Sequence, residues 1–162
     1  MLDLLPDLFD MHSDKLHLVR LPLMSYGGKS VFYGEVVTVK CFEDNSKVKQ
    51  ILATDGHGKV LVVDGGGSLD KALLGDLIAQ SAVDNGWEGV IIAGAVRDVG
   101  TIATLALGVK ALGCVPIKTQ RRDLGEIDVP LMIGNVQITP GMYLYADLNG
   151  VAVSHTALSI TL

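Results

Sequence analysis

Cationic charge, aromatic rings and long apolar runs are all scarce in this chain. Its 162 residues hold 13 Lys and Arg against 18 Asp and Glu, for a formal net charge of −5 and a pI near 5.2. A nucleic-acid binder usually shows a broad basic face that neutralises phosphates, and no direct nucleic-acid contact is expected here. The one cationic run, KTQRR at residues 118–122, reads as a solvated loop. An acidic surface suits a basic protein partner instead. No run reaches 18 apolar residues, so no membrane span is expected. The opening MLDLLPDLFDMHSDK has no Lys or Arg before Lys15, unlike a secretory signal, and a cytoplasmic location is the expectation. Two cysteines, Cys41 and Cys114, sit in apolar surroundings without a CxxC spacing and read as buried reduced thiols. With aromatics at 5%, the core must come from Val, Ile, Leu and Ala.

What is present is enough for one compact domain, expected to span 1–162. Hydrophobic residues make up 49%, and 19 glycines punctuate them. Residues 2–12 read as a short amphipathic helix, 30–42 as a strand, and 44–53 as a helix opened by an Asn or Ser cap. Residues 59–68 form a buried strand entering a glycine loop, 75–86 a helix started at Asp76, and 89–96 a second buried strand. A short helix at 100–108 and a third strand at 109–117 follow. From Leu131 the pattern reads as a β-meander with a two-residue turn at Asn149-Gly150. The order implies a mixed sheet in an α/β fold, its apolar central strands covered on both faces.

The strand at 59–64, the helix from 76 and the strand at 89–95 make a βαβ unit with parallel strands. That topology returns Arg97 and Asp98, just past the second strand, to the sheet edge where the helix begins at Gly75-Asp76. Backbone N–H groups at Gly75, Asp76, Leu77 and Ile78 can hold a carboxylate or phosphate. Arg97 offers a planar fork, Asp98 a hard oxygen ligand for Mg²⁺ or Mn²⁺, and Asp76 a base or an orienter of water. Plain alternatives stand beside these: Asp76 as a helix cap only, and Arg97-Asp98 as a surface ion pair. DGGGS at 64–68 lacks the Lys-Ser/Thr of a phosphate loop and reads as a turn, as does DGHGK at 55–59. His12, His17, His57 and His155 show no metal-ligand spacing, and no Ser or Cys stands in a nucleophile motif.

These residues carry a family resemblance. GGKSVFYGEVVTVKCFEDN, GKVLVVDGGGS, NGWEGVIIAGAVRDV and LYADLNGVAVS closely resemble the RraA-like family, over about Tyr26 to Ser154. That family includes class II 4-hydroxy-4-methyl-2-oxoglutarate (HMG) aldolases and a regulator of ribonuclease E. The aldolase branch is marked by Asp, twenty residues, then Arg-Asp; here these are Asp76 and Arg97-Asp98. The resemblance implies that Asp98 contacts a divalent metal, Mg²⁺ or Mn²⁺, and that Arg97 contacts the substrate keto oxygen. It implies that the backbone of Gly75, Asp76, Leu77 and Ile78 holds the pyruvyl carboxylate while Asp76 positions water. The implied fold is a single-domain α/β/β/α sandwich related to swivelling β/β/α domains, assembled as a homotrimer with sites near subunit interfaces. The implied activity is metal-dependent cleavage of HMG to two pyruvates, with oxaloacetate decarboxylation beside it; the alternative is inhibition of ribonuclease E. Longer members carry a C-terminal extension with a Glu that reaches a neighbour's site, for which this sequence, ending at Leu162, has no equivalent.

Overall fold

The structure, a computed structural model, describes residues 1–160; the chain end at Leu162, where that extension would follow, lies outside the described residues. In order the elements are α1 (Leu5–His12), β1 (His17–Leu18), β2 (Met24–Ser25), β3 (Phe32–Lys40), α2 (Ser46–Leu52) and β4 (Lys59–Asp64). Next come β5 (Ala72–Leu74), α3 (Asp76–Asp84), β6 (Gly89–Val96), α4 (Val99–Ile102), β7 (Gly108–Cys114) and β8 (Glu126–Ile127). The chain closes with β9 (Leu131–Ile133), β10 (Val136–Ile138), β11 (Tyr143–Asp147) and β12 (Gly150–Ser154).

All eight residues of β6 are buried, and so are the four central residues of β4. Such strands are stable only when both faces are covered. On one face Leu61, Val63, Val90 and Ile92 meet Val48 and Leu52 of α2, Ile78 and Ala82 of α3, and Ile102 of α4. On the other, Val60, Val62 and Ile91 meet Leu144, Ala146, Val151 and Val153 of the folded-over β11–β12 arm. Leu5 and Leu8 of α1 cover the outside of that arm against Tyr145 and Ala152. The layers are therefore α/β/β/α, as expected. The sheet runs β1-β12-β11-β3-β4-β6-β7-β2, with β5 beside β6 and β8 beside β3. β3, β4, β6 and β7 are parallel, so their carboxyl ends share one edge.

Several expectations need correction. The C-terminal meander is two hairpins, because β9 and β10 form a separate two-stranded sheet. Asp147 pairs with Gly150, so the last turn is Leu148-Asn149 and not Asn149-Gly150. Asp147 causes the shift: its Oδ1 accepts from the Asn149 N–H at 2.7 Å, and its Oδ2 accepts from the N–H groups of Leu4 and Leu5 at 2.8 Å. That second pair of bonds caps α1, which starts at Leu5 and not at residue 2. The helix expected at 100–108 is one turn, Val99–Ile102, and the third strand ends at Cys114. Cys114 is consequently exposed. Cys41 is buried, which pushes its thiol up to about 12, aided by Asp44 and Asp64. β5 was not foreseen, since three apolar residues have no readable period. Among the described residues no helix is long and apolar enough to cross a membrane.

Candidate functional site

The separation of Asp76 from Arg97-Asp98 is resolved at the carboxyl edge of the parallel strands. Arg97 follows β6 directly, and its N–H donates to Leu74 O at 2.9 Å. Asp98 is left-handed, at φ 57° and ψ 37°, a conformation that aspartate tolerates better than most side chains. This turn aims the carboxylate back at α3, where Asp98 Oδ2 accepts from the Asp76 N–H at 2.9 Å. Asp76 is therefore the first helical residue and not the cap. Gly75 holds the cap position without a side chain, and Asp98, 22 positions on, supplies the missing acceptor. Arg97 Nε lies 3.8 Å from the same oxygen, with both side chains 37% exposed. An ion pair that open contributes about 0–1 kcal/mol.

Gly75 is required by space, since its φ of −125° suits any residue. A Cβ there would lie 2.8 Å from Asp98 Oδ2 and 3.2 Å from Arg97 Nε. Both are atoms of side chains, which can move. Gly75→Ala should accordingly melt close to the unaltered protein yet lose about tenfold or more in turnover, because misplaced groups at a reacting centre are costly. Paired melting and rate measurements check this; equal rates would show that the spacing is irrelevant.

Gly75, Asp76, Leu77, Ile78 and Arg97 all line one cavity of about 890 Å³. Asp98 adjoins Gly75 and Arg97 of that lining and is itself partly exposed. Its Oδ2 is committed to the Asp76 N–H. Among the described residues no group of three His, Cys, Asp or Glu side chains could cage a metal. A single hard carboxylate oxygen fits Mg²⁺ or Mn²⁺ when water and substrate supply the remaining oxygens.

The opposite wall was missed. KTQRR, expected as a solvated loop, lines this cavity throughout. Asp44, only 3% exposed, fastens it: Oδ2 accepts from the N–H groups of Arg122 at 2.8 Å and Leu124 at 3.2 Å. Asn45 holds the cap position of α2, as expected, but its side chain makes no cap bond, and Asp44 Oδ1 accepts from the Ser46 N–H instead. Burial opposes its charge, but these bonds outweigh burial and hold its pKa down at about 2. The fastening therefore persists wherever Asp44 is charged, and acid loosens it only as pH falls from the usual aspartate range towards 2. Lys71, Arg97, Lys118, Arg121 and Arg122 line the cavity against Glu43, Asp44 and Asp76. A locally cationic cleft in a chain of net charge −5 gathers small anions. The charge run itself was the only local signal, and nothing local tied it to Arg97.

The sequence model described as RraA-like, Aldolase/RraA, matches residues 5–153. A Shewanella oneidensis protein with the provisional name 4-hydroxy-4-methyl-2-oxoglutarate aldolase is 61% identical over 159 residues, covering 98% of this chain and 97% of its own. A Vibrio vulnificus protein with the same provisional name is 52% identical, covering 98% and 99%. Among solved structures, the RNA-processing inhibitor RraA from Thermus thermophilis superposes with a TM-score of 0.93 at 39% identity, covering 98% and 96%. A Geobacillus kaustophilus structure described as S-adenosylmethionine:2-dimethylmenaquinone methyltransferase also reaches 0.93, at 46% identity, covering 95% and 96%. These names disagree about chemistry but share one fold and nearly one length. This chain belongs to the RraA-like family.

Proposed function

We propose that this chain is a divalent-cation-dependent lyase of small 2-oxo acids. It cleaves 4-hydroxy-4-methyl-2-oxoglutarate into two pyruvates and decarboxylates oxaloacetate as a second activity. The observation that carries this reading is the meeting of the α3 N-terminus, Arg97 and Asp98 at the edge of a cation-lined cavity. The aldolase names of the Shewanella and Vibrio relatives support it.

In this reading the backbone of Gly75 to Ile78 holds the pyruvyl carboxylate, since the first turn of a helix has N–H groups without intrahelical acceptors. Arg97 donates to the C2 keto oxygen and takes up charge there. Asp98 holds Mg²⁺ or Mn²⁺ through its free oxygen; when bound, such an ion supplies Lewis-acid polarisation of the same carbonyl. Asp76, which lines the cavity, receives the C4 hydroxyl proton directly or through water. The C3–C4 electron pair passes to C3 and the C2 carbonyl, giving one pyruvate and one pyruvate enolate, and the enolate gains a proton at C3. Oxaloacetate reaches the same enolate by losing CO₂, with no base needed.

The reading includes a homotrimer, supported by Leu77, Phe42 and Leu124, which are 83%, 65% and 60% exposed at the cavity, and a cytoplasmic location. A second reading, a regulator that presses an acidic surface onto a basic segment of ribonuclease E, draws on the Thermus relative and the net charge of −5. Pyruvate release from both acids, with Mg²⁺ and then with EDTA, separates the two. Formation that EDTA abolishes is expected, after subtraction of spontaneous oxaloacetate loss. No release from either acid would leave the regulator reading in its place.

A further inference from the structure

We propose that a second cavity, at the other end of the parallel strands, binds a small aromatic amine in its protonated form. The cavity holds about 400 Å³, within the range of small-molecule sites, and shares no lining residue with the first. Its Gly58 and Glu88 directly precede β4 and β6, so it lies at the amino edge, opposite Arg97 and Asp98. Two tyrosines build its floor. Tyr33 and Tyr145 pair across β3 and β11, with ring centroids 6.2 Å apart and planes 25° from parallel. Tyr145 is buried, and its OH accepts from the Leu158 N–H at 2.7 Å, which fixes the lower ring. Tyr33 is 40% exposed, so the upper ring keeps area open to a ligand. Leu158 and Ile160, from the segment after β12, add an apolar wall.

Apolar walls accept any apolar body, and the charges at the rim choose among them. The lining has one cation, Lys29, against two carboxylates, Glu35 and Glu88. Lys29 Nζ lies 2.5 Å from Glu88 Oε2, and that pair cancels. Glu35 has no ion-pair partner among the described residues. Lys59, its register neighbour on β4, is not part of the lining. One uncompensated negative charge therefore stands beside the open tyrosine ring. Glu35 and Tyr33 are alternate residues of β3 and share one face of the sheet. A ring face next to a carboxylate selects a cation with a flat apolar body. The body stacks on Tyr33, and the ammonium meets Glu35 and the ring face. An acid of the same shape is repelled, so the anions suited to the first cavity are not ligands of the second.

An NMR titration of the full chain, read on the Leu158 amide and the Tyr33 ring, tests it with three probes. These are 2-phenylethylamine, phenylacetate with the opposite charge, and ethylamine without the ring. The phenylethylammonium ion should bind saturably and about tenfold or more tighter than either of the others. Glu35→Gln, an exposed and isosteric change, should weaken it about tenfold, the size of one charge-assisted hydrogen bond. Tyr33→Ala should weaken it about threefold or more through the lost ring face. Both variants should melt close to the unaltered chain. Saturating pyruvate with Mg²⁺ should leave the amine affinity unchanged, because the cavities have no residue in common. Equal binding of phenylacetate would overturn the charge argument and the proposal with it. So would undiminished amine binding by Glu35→Gln, competition by pyruvate, or the absence of saturable binding by the unaltered chain.

Discussion

Asp98→Asn should lower metal-dependent pyruvate formation by about 10³-fold while shifting the melting temperature by little. The rate figure corresponds to about 4 kcal/mol, the scale of Lewis-acid stabilisation that a neutral amide can no longer anchor. The stability expectation follows from geometry. Asparagine tolerates the left-handed backbone at φ 57° nearly as well as aspartate, and its amide oxygen can still accept from Asp76 N–H. Asp98→Ala is the contrasting variant. It loses the α3 cap, about 1 kcal/mol, and places a Cβ-bearing residue without a polar side chain in the left-handed region, about 1–2 kcal/mol more. It should melt several degrees lower. Rates and melting curves of both variants thus separate the charge of Asp98 from its structural duty. An Asp98→Asn enzyme with full activity would remove Asp98 from the proposed cation site.

Arg97→Ala should reduce kcat by about 10²–10³-fold, the usual consequence of deleting one donor aimed at a developing oxyanion. The fold should survive. The Arg97 backbone keeps its bond to Leu74 O, and the half-exposed pair with Asp98 contributes little. Arg97→Lys restores the charge but not the planar fork and should recover only part of the loss. Steady-state rates on oxaloacetate and HMG, with melting as control, decide the matter. Activity within threefold of the unaltered protein would exclude Arg97 from the oxyanion role.

The Asp98 and Arg97 tests concern residues that were legible in the sequence. The unbroken apolar runs of β4 and β6 announced buried parallel strands, because only strands covered on both faces can lack alternation. A helix between two parallel strands then forced Asp76 and Arg97-Asp98 to one edge, whatever the details of the turns. The spacing was a consequence of chain geometry, and chain geometry is local.

Other features were not legible because they depend on contacts between distant segments. Asp98 caps α3 from 22 residues away, so Asp76 looked like its own cap. Asp147 caps α1 from the other end of the chain, which moved both the helix start and the last turn. Asp44 and Asn45 resembled ordinary helix-start residues, yet Asp44 Oδ2 and Asn45 Oδ1 are spent on residues 119–124, more than 70 positions away. An aspartate or asparagine side chain takes whichever N–H group folding brings to it, and composition cannot say which.

The sequence by itself determined the α/β class, the central parallel strands and the edge at which Gly75 to Ile78 meets Arg97-Asp98, because periodicity and connection handedness are properties of short segments. Only the tertiary structure decided that the exposed KTQRR loop is also a wall of the cavity, and that one oxygen of Asp98 is already bound. The physical reason is that hydrogen-bond partners are chosen after the chain has collapsed, among groups whose separation in sequence has no bearing on their distance in space.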